Sequence, residues 1–103
     1  MGTGDIVNMV GDLTDPEHRL PGERDSERSG LLEDAQHWLH VYGELVAFKR
    51  TLLSTAEVHK DGAPEPVVLE VSNDQALLRS ELDRLERRHS FWQERAQQLQ
   101  KGA

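Results

Sequence analysis

Apolar residues fall along this chain in two long, regular rows. Between Leu31 and Val58, the positions Leu31, Ala35, Trp38, Tyr42, Leu45, Lys49, Leu52 and Ala56 follow one another in steps of four and three. A parallel row, Leu32, Leu39, Val46 and Leu53, repeats every seven residues. That spacing predicts a helix over about 31–58 with a double-width apolar face, extended to one side by Val41 and Phe48. At about 3.6 residues per turn the apolar arc is roughly 200° wide. A two-stranded seam needs far less, so this helix is expected to touch more than one neighbour. The second row, Leu78, Leu82, Leu85, His89, Trp92, Ala96 and Leu99, alternates by four and three and predicts a narrower seam over about 73–100, with Leu77 and Phe91 on its flank. Ser72-Asn73-Asp74-Gln75 reads as a capping-box start, and Gly102 as the stop.

The pattern breaks over 59–72. Asp61-Gly62 makes a turn, Pro64 and Pro66 disfavour helix around them, and Val67, Val68, Leu69 and Val71 are β-prone. This stretch is expected to be an extended connector. Residues 1–29, with Gly2, Gly4, Gly11, Pro16, Pro21 and Gly22, read as a flexible acidic arm. Within it, Ile6, Val7, Met9, Val10 and Leu13 form one small apolar patch. The fold expected is therefore all-α: an antiparallel two-helix hairpin over 30–103. An isolated pair is marginal, and exposed apolar residues usually mark a contact surface. A homodimer giving four helices, or docking onto another protein, would complete it. Trp38, Tyr42, Leu45, Phe48, Leu52 and Trp92 are the candidate partner-binding residues.

Composition narrows the function classes. The chain has 103 residues, 36% hydrophobic and 30% charged, with a formal net charge of −7. One domain with a modest core is the expectation. The acidic balance argues against direct nucleic-acid binding, which needs clustered Lys and Arg, and suits a protein partner with basic patches. With no cysteine, thiolate catalysis and Cys-ligated zinc are excluded. The N-terminus lacks the basic region and long apolar run of a signal peptide, and no stretch reaches the roughly 18 apolar residues of a membrane span. A cytoplasmic location without membrane attachment is the default expectation.

Few residues point to chemistry. Glu33, His37, His40 and Glu44 cluster on one helical face at spacings that bind metals inside bundles. That face lies opposite the Trp38–Tyr42 seam, so a solvated polar face is expected and no metal site. His89 and Lys49 occupy seam positions, where they are expected to set pairing. Arg84, Arg87, Arg88 and Arg95 interleave with Glu81, Asp83, Glu86 and Glu94. This basic stripe is read first as intrahelical ion pairing, and second as a surface for an anion or partner. No phosphate loop, zincin motif or nucleophile elbow is present, and the chain is read as non-catalytic.

The layout resembles the RsiG-type anti-sigma factors of actinobacteria, helical hairpins that carry the pattern E-x3-S-x2-R-x3-Q-x3-D. In the second helix Glu86, Ser90 and Gln97 match, while Gln93 stands where arginine belongs and Lys101 where aspartate belongs. In the first helix only Arg50 matches; Gly43, Ala47, Ser54 and Val58 replace the other four. The resemblance covers residues 31–101. It implies a transcription-associated regulator that binds a sigma factor or RNA polymerase, with cyclic di-GMP as a ligand. Arg50, Glu86, Ser90, Gln93 and Gln97 are then the candidate ligand positions. Arginine supplies bidentate contacts to phosphate or guanine, and aspartate accepts from guanine N–H groups. Their loss weighs against the nucleotide and leaves the protein-binding hairpin as the function the resemblance implies.

Overall fold

The computed structural model describes residues 17–102, which contain helices and no strand. Three helices are present among them: α1, Glu23–Ser29; α2, Leu32–Lys60; and α3, Glu65–Gly102. Helices α2 and α3 pack against each other along their length, and α1 lies against α2. The cross-helix contacts run in opposite senses. Glu57 meets Gln75 near the turn, Lys49 meets Glu81 further along, and Trp38 stacks on Trp92 at the far end. The pair is an antiparallel hairpin, as the two apolar rows predict. The apolar patch of Ile6 to Leu13 lies outside the described residues.

Two sequence expectations are corrected here. The first concerns the connector. The chain turns over Asp61–Pro64 only, and α3 begins at Glu65 rather than near residue 73. Gly62 takes φ +74°, a left-handed conformation that costs glycine little. The Pro64 carbonyl then accepts from the amides of Val67 and Val68 and opens the helix. Pro66 sits in the first turn, where its missing N–H has no intrahelical partner to lose. The β propensity of Val67 to Val71 is overridden by periodicity, because Val68, Val71, Gln75 and Leu78 continue the inward-facing row by two further turns. Ser72 lies inside the helix and does not cap it.

The second correction concerns residues 17–29, expected as part of a flexible arm. Leu20-Pro21-Gly22-Glu23 forms a type II turn, with Gly22 at φ 84°, ψ −11° and the Glu23 amide donating to the Leu20 carbonyl at 3.0 Å. The Leu20 amide donates in return to the Glu23 carboxylate at 2.9 Å. Helix α1 follows and stops at Gly30, again left-handed at φ 67°.

The core is unevenly spread. Its buried apolar residues are Ala35, Trp38, Tyr42 and Val46 on α2, and Leu85, Trp92 and Ala96 on α3. All lie in the half of the hairpin remote from the turn. In the turn half the buried side chains of α3 are Gln75 and Glu81.

Candidate interaction surfaces

At the end remote from the turn, aromatic packing surrounds a buried carboxylate. Trp38 and Trp92 stack with ring centroids 6.5 Å apart, and Phe91 meets Trp92 edge-on at 5.0 Å. Glu23 reaches down from α1 into this cluster and is fully buried. Its Oε1 accepts from the Tyr42 hydroxyl at 2.6 Å, in addition to the Leu20 amide. Its Oε2 accepts from Trp92 Nε1 at 2.8 Å and from the Arg88 guanidinium at 2.6 and 3.0 Å. Arg88 also donates to Glu27 one turn further along α1, which takes a second bond from Arg19 Nε at 2.9 Å. Arg95 donates to the Glu27 backbone carbonyl. The Arg88 guanidinium lies 4.4 Å from the centre of the Phe91 ring, so its flat face is also covered. A buried charge is tolerated only when its polar atoms are so satisfied.

The electrostatics follow from this geometry. Burial alone would push the Glu23 carboxyl up. The hydrogen bonds from Tyr42, Trp92, Arg88 and the Leu20 amide outweigh it and hold Glu23 below the usual carboxylate range. Burial, and then the bond to the ionised Glu23, push the Tyr42 hydroxyl well above its ordinary value. Burial works against the Arg88 charge, but Glu23 and Glu27 more than restore it.

This arrangement corrects part of the expected partner face. Trp38, Tyr42 and Trp92 are buried, at 8%, 0% and 0% exposure, between the helices and under α1. They form the core of the hairpin. Part of the basic stripe is corrected as well. Arg87 pairs with Asp83 within α3, whereas Arg88 and Arg95 reach across to α1. One signal in the sequence marks α1: the Leu-Pro-Gly-Glu turn followed by Glu27 and closed by Gly30.

In the turn half the balance is reversed. Phe48 is 58% exposed and Leu77 56%, with Val58, Val67 and Leu69 also exposed. Leu45 and Leu52, the remaining members of the expected face, are half-buried beside Phe48 on α2. Polar pairs cross the seam here, beside the half-buried Leu53, Val68, Val71 and Leu78. Lys49 Nζ bridges to Glu81 at 3.2 Å, and Gln75 donates to Glu57 at 2.8 Å. The Gln75 amide, and then Lys60, hold Glu57 below its ordinary value.

Of the candidate ligand positions, the structure brings three together. Arg50, Glu86 and Ser90 line one cleft with Gly43, Val46, Ala47 and His89. Its volume, about 280 Å³, is at the lower limit of small-molecule sites. Arg50 is paired with Glu86 across the cleft. Gln93 and Gln97 are exposed on α3 and do not line the cleft. His89 packs over Gly43, where an added Cβ would meet its Nε2 at 3.6 Å. Glu33, His37, His40 and Glu44 are all exposed, and no three metal-ligating side chains converge among the described residues. No helix among those residues is long and apolar enough to cross a membrane.

Comparison with protein-family models, with curated proteins and with solved structures returned no match.

Proposed function

We propose that this chain is a non-catalytic protein-interaction module whose turn half binds a helical partner. The observation that carries this reading is the inversion of polarity along the hairpin. In the turn half, Phe48, Val58, Val67, Leu69 and Leu77 are exposed, while Gln75 and Glu81 are buried. Apolar side chains left on the surface gain about 1.5–3 kcal/mol each when a partner covers them. Two or three such side chains suffice for a specific complex. The resemblance to RsiG-type hairpins suggests that the partner is a sigma factor or RNA polymerase.

A second reading is a homodimeric four-helix bundle, favoured by the width of the apolar arc on α2. One experiment addresses both. The full chain and its Phe48→Ser variant are used as bait in native cell extract, and each is examined by sedimentation velocity. Retention of a sigma factor by the parent chain but not by Phe48→Ser supports the regulator. A parent dimer that becomes monomeric in the variant supports the bundle. If the variant keeps every complex of its parent, the turn half is not the binding surface.

A further inference from the structure

Helix α1 has an unusual basis for docking. Its sequence, Glu-Arg-Asp-Ser-Glu-Arg-Ser, contains no apolar residue. At seven residues it is far below the length at which a helix holds in water by itself. Glycines at positive φ, Gly22 and Gly30, bound it on both sides. What fixes it on the hairpin is chiefly two carboxylates one turn apart and one backbone carbonyl, with Ser29 Oγ donating to Asp34 at its end and Leu20 packed on the core just ahead of it. Glu23 is enclosed by Tyr42, Arg88 and Trp92; Glu27 takes Arg88; and the Glu27 carbonyl takes Arg95. All the hairpin groups that receive α1 belong to α2 and α3.

We infer that this end of the hairpin is a recognition site for an acidic helix bearing Glu-x3-Glu, and that α1 is its resident occupant. The receptor is built for that ligand. A guanidinium lies between the two carboxylates, and a phenol and an indole N–H close on the deeper one. The contacts are charge-assisted hydrogen bonds with fixed directions, so they select carboxylates at helical spacing rather than apolar area. Nothing in them depends on the covalent link through Gly30 and Leu31. A partner helix presenting the same two glutamates would make the same bonds. Against it stands the tether, which holds α1 at an effective concentration in the millimolar range. The site therefore opens to partners in proportion to how readily α1 leaves. It is separate from the Phe48–Leu77 surface and does not depend on that reading.

The test uses the full chain carrying Glu23→Ala and Glu27→Ala, which empties the site while retaining every receptor residue. A synthetic peptide spanning Arg19–Gly30 is titrated into it by calorimetry. Saturable 1:1 binding is expected, weakened at least tenfold when both peptide glutamates are glutamine. The parent chain should bind the peptide at least tenfold more weakly than the emptied variant, because its own α1 competes. If the emptied variant loses its helical circular dichroism, adding peptide should restore it, and glutamine peptide should not. The inference is overturned if a folded variant fails to bind peptide at about 1 mM, the range of the tether it replaces. It is equally overturned if glutamine peptide binds as well, or if an unfolded variant is not rescued.

Discussion

The two halves of this hairpin are made by the same two helices, yet they are held together by different forces. Remote from the turn, small and aromatic residues interlock and a third helix seals them with a buried carboxylate. Toward the turn, the pairs Lys49–Glu81 and Gln75–Glu57 share the seam with half-buried Val68, Val71 and Leu78, and Phe48, Leu69 and Leu77 are exposed. The contrast teaches that regular apolar periodicity specifies a helix, while burial depends on what lies across from it. One half buries its aromatic side chains, and the other leaves several large apolar side chains exposed.

The largest effect that would break this comparison is at Glu23. Replacing it by alanine leaves Arg88 buried without its main partner, which typically costs about 3–5 kcal/mol. Leu77→Ala, at an exposed position in the other half, should stay within about 0.5 kcal/mol. Urea denaturation of the two variants checks this. Equal losses would mean that the halves are not differently built.

Titration sharpens the same contrast. The folded-state value of Glu23 is depressed, so its contribution is fully present above the ordinary carboxylate value of about 4.3 and is lost as pH falls below that toward the depressed folded value. Tyr42 is raised, so the fold favours its neutral form. That contribution is intact below the ordinary value of about 10 and is lost as pH climbs past it. Amide hydrogen exchange at pH 3, 7 and 11 should show α1 and its neighbours opening at both extremes. Uniform protection across the pH range would contradict the buried network.

A smaller effect than that at Glu23, and of opposite sign, lies at Gly43. Glycine inside a helix costs about 1 kcal/mol relative to alanine. An alanine Cβ here would meet only the His89 ring, at ordinary contact distance. Gly43→Ala should therefore raise the thermal midpoint, by an amount corresponding to up to about 1 kcal/mol. A fall would show that His89 needs the space that glycine leaves.

The hairpin itself is legible in the sequence, because Leu-rich rows at four-three spacing leave little choice of element. The start of α3 is harder to read. Pro64 and Pro66 signal a break, but Val68, Val71 and Gln75 continue the row and prevail. The buried face of α3 is harder still. Pattern reading places Arg88 outside, since arginine is rarely buried without a partner. Its partner, Glu23, lies 65 positions away on a segment whose composition suggests a tail. The two halves of a buried ion pair are each misleading alone, and only their meeting makes either one interior. Conversely, Trp38, Tyr42 and Trp92 look like a surface only while α1 is unknown.

Both tryptophans of the chain, Trp38 and Trp92, sit in the sealed half, and the indole N–H of Trp92 is bonded to Glu23. The protein thus carries its own optical gauge for one region only. Intrinsic emission should follow the release of α1 and remain insensitive to fraying near the Asp61–Pro64 turn. Where the emission signal and the far-ultraviolet helical signal melt apart, the gap between the two curves reads out directly how independent the halves are.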